Sequence, residues 1–191
     1  ITELFSQVAK YCPANGTVVH PTLHINLSGT SFTDGRITDI VRSRFKEHEI
    51  DPTRIVFEIT ETAAISNHNS TIDFIKAIKQ MGCKVAMDDF GSGMSSFAYL
   101  RDFDVDYVKI DGSFVRQIVE DRISYAMVSS INQIGHVMGL KTIAEFVENE
   151  AIRKQLKLIG VDYIQGYAIG EPKPIEPLLE CIARDTTSQA S

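Results

Sequence analysis

From about residue 18 onward, short β-branched apolar runs alternate with longer stretches whose apolar residues recur at helical spacing. Residues 23–27, 54–59, 84–87, 107–110, 141–144 and 162–164 have the length and composition of strands. Between them, Ile37, Ile40, Val41 and Phe45 fall on one helical face, as do Ile72, Ile75 and Ile78, then Ile123, Met127, Ile131, Ile134 and Met138. A last helix over 150–158 brings Ile152, Leu156 and Ile159 together, with Gly160 as its C-terminal stop. This rhythm predicts βα units around a parallel sheet. No low-complexity linker divides residues 1–182, so they form one domain, with a polar tail over 183–191.

Each apolar run closes on a residue able to do chemistry: Asn26, Glu58, Asp88 with Asp89, Lys109, Glu145 and Gln165. In a parallel βα sheet all strand C-termini lie on one face, so these side chains converge despite their separation in sequence. Singly, each has an ordinary explanation, an Asn capping a loop or an Asp opening a turn. Six strand ends in register make that explanation hard to sustain. Glu58, Asp88, Asp89 and Glu145 bring four formal negative charges to one mouth, against Lys109 alone. Carboxylates a few ångströms apart do not all stay ionised unless a cation lies between them. Carboxylates with the Asn26 amide suit Mg²⁺ or Mn²⁺ better than Zn²⁺, since no His or Cys shares the strand-end positions. The adjacent pair Asp88 and Asp89 can reach two ions, as in two-metal phosphoester hydrolysis, and Lys109 can hold the attacking water or the charge growing on a phosphoryl oxygen.

Composition narrows the class further. At 43% hydrophobic and 23% charged residues the chain is an ordinary folded domain rather than a disordered one, and its apolar runs stop well short of the ~20 residues that span a bilayer. A net charge of −6 without a basic block argues against a nucleic-acid polymer as partner, though not against one nucleotide held through metal. Cys12, Cys83 and Cys181 are far apart and form no C-x-x-C pair, which predicts neither disulfides nor structural zinc and points to a reducing cytoplasm. Residues 1–12 are amphipathic without the order of a signal peptide and read as the cut end of something longer.

Other positions carry competing readings. Asp88 to Gly93 places small residues directly after the carboxylate pair, as a loop that approaches a ligand or moves would; its Asp-Phe-Gly lacks the companion motifs of protein kinases. Glu61 is equally a loop-steadying carboxylate or an acid at a helix start. His24 shares the strand face of Asn26 and is expected to be a hydrogen-bonded core residue. His20, His48, His68 and His136 are expected at the surface, and Cys83 in the core.

Ile25-Asn26-Leu27-Ser28, Phe57-Glu58-Ile59-Thr60-Glu61, Asp88-Asp89-Phe90-Gly91-Ser92-Gly93, Asp106-Tyr107-Val108-Lys109-Ile110-Asp111, Ala144-Glu145-Phe146-Val147-Glu148 and Gln165-Gly166-Tyr167 resemble, in order, the motifs of EAL domains, the bacterial cyclic di-GMP phosphodiesterases. The resemblance implies a TIM-like (β/α) barrel, two Mg²⁺ or Mn²⁺ ions and linear pGpG as product; Ca²⁺ is expected to bind and inhibit, its coordination being longer and looser. By it, Asn26, Glu58 and Asp88 hold one metal, Asp88 and Asp89 a second, and Glu145 serves the second metal or the attacking water. Lys109 orients that water, Gln165 sits beside it, and Glu61 anchors the mobile loop after Asp89, which in this family links dimerisation to metal binding; a homodimer through the EAL domains is implied as well. Phe146 stands where the family usually has glycine, on the face of the strand opposite Glu145, which predicts a change of packing. The Glu-Ala-Leu signature is absent, so residues 1–182 are expected to be the C-terminal three-quarters of a barrel of about 250 residues. An upstream sensor or GGDEF domain and a membrane anchor for the full-length protein are further implications. The alternative is a degenerate member that binds cyclic di-GMP or a protein without hydrolysis; such members usually lose ligands, and here every ligand position visible in the chain is filled.

Overall fold

The computed structural model describes residues 4–5, 21–33, 36–92 and 97–180. The tail over 183–191, Cys12, Cys181, His20, Gly93 and all of the opening stretch but Leu4 and Phe5 lie outside the described residues. Strands β1 (Leu23–Leu27), β2 (Ile55–Thr60), β3 (Lys84–Phe90), β4 (Tyr107–Ile110), β5 (Lys141–Ala144) and β6 (Tyr163–Ile164) form one parallel sheet in sequential order. Helices α1 (Gly29–Thr33), α2 (Arg36–His48), α3 (Glu61–Ser66), α4 (His68–Gln80), α5 (Phe97–Asp102), α6 (Gly112–Gln117), α7 (Arg122–Val137) and α8 (Glu150–Ile159) lie between them, the arrangement of an α/β barrel wall. No helix among the described residues is long and apolar enough to cross a membrane.

Alternation along each strand divides the sheet into two faces. Ile25, Leu27, Ile55, Phe57, Ile59, Val85, Met87, Val108 and Ile110 join the apolar core that packs beneath the helices, with Phe74, Ile75 and Ile78 of α4. The intervening residues, His24, Asn26, Glu58, Asp88, Tyr107 and Lys109, therefore fall on the other, concave face. Cys83 is buried in the core, and burial pushes its thiol up to about 12, so it behaves as a small hydrophobe.

Several boundaries differ from the sequence expectation for identifiable reasons. Arg54 is the last residue of a 3₁₀ turn, Pro52–Arg54, because Asp51 caps it through Thr53 N–H at 3.0 Å; β2 starts one residue later. β3 runs three residues beyond Met87, and Asp162 precedes β6 instead of opening it. The buried face of α7 is also rotated from the one predicted. Ser124, Val128, Ile131, Asn132 and Gly135 are buried, while Ile123 is 72% exposed. The helix lies so close to the sheet that a Cβ on Gly135 would come within 3.1 Å of Thr142 Cγ2, and Asn132 accepts a 2.6 Å hydrogen bond from the Thr142 hydroxyl. Small and polar residues are selected by that approach where larger apolar ones were expected.

Candidate metal centre and active site

β1 and β2 pair with Asn26 opposite Glu58, and β2 and β3 pair with Thr60 opposite Asp88. A regular strand would send Asp88 and Asp89 to opposite faces. Instead, the register between β3 and β4 shifts between Met87 and Phe90, and Asp89 takes a left-handed backbone with φ of 53°. Carboxylate oxygens of Asp88, Asp89 and Glu145 consequently lie within 4.8 Å of one another.

Lys109 occupies the centre of the cluster. Its Nζ is 2.7 Å from Glu58 Oε2, 2.8 Å from Asp88 Oδ1 and 2.9 Å from Glu145 Oε1, and all four side chains are buried. An ammonium has three protons, and each faces a carboxylate. Burial alone would lower the lysine's pKa; hydrogen bonds to Asp88 and Glu58 and the neighbouring charges outweigh it and hold it above the usual value. For Glu58, burial raises the pKa, yet hydrogen bonds from His24 and Lys109 bring it below the ordinary glutamate value. Glu145 stays raised, because burial outweighs Lys109. Asp89 is raised by burial and then by the charges of Asp88 and Asp111. Positive charge is thus sufficient around Glu58 and deficient around Asp89 and Glu145.

The donor set fits a hard divalent cation. One terminal atom of the Asn26 amide lies 3.2 Å from Glu58 Oε2 and 3.3 Å from Asp88 Oδ2. With nitrogen there, the amide donates to both carboxylates; with oxygen there, three oxygens face one another, which a cation among them makes favourable. Asp88, Asp89 and Glu145 provide a second all-oxygen group beside it.

A cavity of about 410 Å³ opens next to Glu145, lined by Arg116, Phe146, Gln165 and Tyr167 among others. Glu61, buried at the start of α3, accepts a 3.2 Å hydrogen bond from the backbone N–H of Gly91 in the loop after Asp89.

A family model described as "EAL domain" matches residues 2–172. The chain belongs to the EAL domain family. It is 42% identical over 158 residues to the cyclic di-GMP phosphodiesterase PdeB of Shewanella oneidensis, covering 83% of this chain and 18% of that protein. It is 38% identical over 163 residues to the cyclic di-GMP phosphodiesterase PdeF of Escherichia coli, covering 82% of this chain and 22% of that protein. The chain therefore spans about a fifth of the length of these relatives. Among solved structures, "PaMucR Phosphodiesterase, c-di-GMP complex" superposes with a TM-score of 0.85 at 30% identity, over 93% of this chain and 71% of that one.

In this EAL domain the fold brings Asn26, Glu58, Asp88, Asp89, Lys109 and Glu145 into one cluster. Gln165 is exposed and lines the same cavity as Glu145, its backbone joined to Ala144 and Val147. Phe146 does not lie on the far side of a strand. β5 ends at Ala144, and Phe146 takes φ of 53°, a conformation that glycine adopts freely, so its ring turns into the cavity wall beside Glu145. There it covers Gly112, where a Cβ would meet Phe146 Cδ2 at 2.1 Å, and stacks at 4.4 Å against the Arg116 guanidinium. Sequence reasoning missed Arg116 and Gly112; the left-handed position implied by a glycine preference at 146 was the available signal. Two histidines also depart from expectation. His24 is partly exposed rather than core, with Nδ1 2.6 Å from Glu58 Oε1. His68 is half-buried against Phe103 and Tyr99, 3.4 Å from Asp102, rather than a surface residue.

Proposed function

We propose that this domain hydrolyses cyclic di-GMP to linear pGpG with two Mg²⁺ or Mn²⁺ ions, as part of bacterial second-messenger signalling in the cytoplasm. The observation that carries the reading is the convergence of Asn26, Glu58, Asp88, Asp89 and Glu145 around one buried lysine, with more carboxylate than the protein's own cations neutralise. Asn26, Glu58 and Asp88 would hold one ion, and Asp88, Asp89 and Glu145 the other. When bound, the ions would polarise a phosphoryl oxygen and activate water as the nucleophile.

The residues supply the remainder. Lys109 holds Glu58, Asp88 and Glu145 in register, and its fixed charge stabilises negative charge developing during attack. Glu145, with its raised pKa, stands between the carboxylate cluster and the cavity, where it can accept a proton from water. The cavity wall of Phe146 and Arg116 offers a flat apolar face beside a cation, suited to a guanine base and its phosphate. Association into a homodimer through the EAL domains, with a sensor or GGDEF domain upstream in the full-length protein, belongs to the same proposal.

The test is incubation of the chain, and of a longer version carrying upstream residues, with cyclic di-GMP and Mg²⁺ or Mn²⁺, following pGpG by chromatography. Metal-dependent pGpG that vanishes in excess chelator is the expected result. Tight binding without turnover in the longer version would establish a receptor instead, and turnover undiminished by chelator would overturn the two-metal reading.

A further inference from the structure

Both oxygens of the Glu58 carboxylate are held by side chains, and from different directions. Oε2 meets Lys109 Nζ at 2.7 Å and the Asn26 amide at 3.2 Å, within the group that would receive a cation. Oε1 meets His24 Nδ1 at 2.6 Å. His24 and Asn26 are two residues apart on β1 and share its concave face, and β1 and β2 pair in unbroken register from Leu23 with Ile55 to Leu27 with Ile59. The imidazole is therefore delivered from a neighbouring strand, one pleat below the amide. Its ring has another aromatic beside it, Tyr107, at 5.9 Å between centroids.

We propose that His24 is a positioning residue for the metal centre: by donating from Nδ1 to Glu58 Oε1 it fixes the rotation of the carboxylate, so that Oε2 is presented to the cation. The inference rests on the reading of Glu58 as a ligand. A carboxylate turns readily about its terminal bond, and a ligand free to turn loses affinity when the ion orders it. Lys109 and Asn26 both act on Oε2, the oxygen the ion would share, so neither of them fixes the plane once the ion engages it. His24 acts on the oxygen left over. A packing role explains the residue poorly, since its side chain is 34% exposed and an apolar residue would fill the place as well.

The experiment measures equilibrium binding of Mn²⁺ alone to the chain by the electron paramagnetic resonance of free Mn²⁺, for wild type, His24→Leu, His24→Asn and Glu58→Gln. Thermal melts without metal establish that each variant is folded. Leucine keeps the bulk and removes the donor, and its Mn²⁺ affinity is expected to fall about 10- to 100-fold. Asparagine carries an N–H near the position of Nδ1 and is expected to recover most of that loss. Wild-type affinity in His24→Leu, or equal losses in the leucine and asparagine variants, overturns the inference. If Glu58→Gln loses Mn²⁺ while His24→Leu does not, His24 alone is removed and the ligand reading stands. If Glu58→Gln binds as wild type does, or wild type binds no Mn²⁺, the ligand reading falls and this inference with it.

Discussion

Replacing Lys109 with methionine removes the ammonium while keeping an unbranched side chain of similar length, and the structure sets the size of the consequence. Three buried carboxylates, Glu58, Asp88 and Glu145, lose a partner at 2.7–2.9 Å and no other cation lies within salt-bridge range of Asp88 or Glu145 among the described residues. Deleting one member of a buried ion cluster costs about 3–5 kcal/mol. With a urea slope of about 2 kcal/mol/M, the unfolding midpoint should fall by roughly 1.5–2.5 M at pH 8. The cost depends on pH in a stated direction. Glu145 and Asp89 already have raised pKa values, and without Lys109 the native cluster binds protons more readily still. A native state that holds more protons than the unfolded chain gains stability as pH falls, so the deficit should shrink toward pH 5. Mn²⁺ should stabilise the variant at least as much as wild type, about 2.7 kcal/mol at a hundredfold excess over Kd, because the charge that repels it is gone. Urea unfolding followed by far-ultraviolet circular dichroism at pH 8 and pH 5, with and without Mn²⁺, measures all of this. A deficit under about 1 kcal/mol at pH 8, or one unchanged at pH 5, would refute the account of Lys109 as the cation that holds the three carboxylates together.

Glu58→Gln and Asp88→Asn should each abolish pGpG formation by the active form, since a lost ligand charge weakens the ion and misplaces the water; retention of a tenth or more of wild-type turnover would contradict this. Ca²⁺ should bind and inhibit, its longer and looser coordination failing the in-line geometry, and rapid turnover in Ca²⁺ alone would count against it. Gly112→Ala should displace the Phe146 ring, which a Cβ would meet at 2.1 Å, and raise KM severalfold with little change in kcat; steady-state kinetics would show otherwise if the ring is idle. Asp162, which accepts from Lys141, His136 and Thr142, is predicted to lose about 1–3 kcal/mol of stability on change to Asn at neutral pH. Burial raises its pKa, but those hydrogen bonds carry it well below the usual 3.8, so the contribution is complete above that value, begins to fade beneath it and is gone only below the far lower folded-state value. Denaturant titrations of both proteins should therefore show a smaller gap at pH 3 than at pH 7, without closing it.

The sequence by itself determined the parallel βα order, the approximate strands and the polar residues at their ends, because these follow from short-range periodicity: two residues per pleat in a strand and 3.6 per helical turn. Asn26, Glu58 and Lys109 needed nothing more, since an inward position on a regular strand is decided by alternation. Tertiary structure decided what alternation does not reach. The adjacent Asp88 and Asp89 share one site through the left-handed Asp89 and the shifted register beside it, and Phe146 enters the cavity through its own positive φ. The buried face of α7 depends on how closely Gly135 allows it to approach β4 and β5. The pairings of Lys109 with three carboxylates and of His24 with Glu58 join residues 21 to 51 positions apart in the sequence. A local pattern places a side chain on a face, but the neighbour it meets there is set by strand register and the curl of the sheet, which arise only when distant segments pack together.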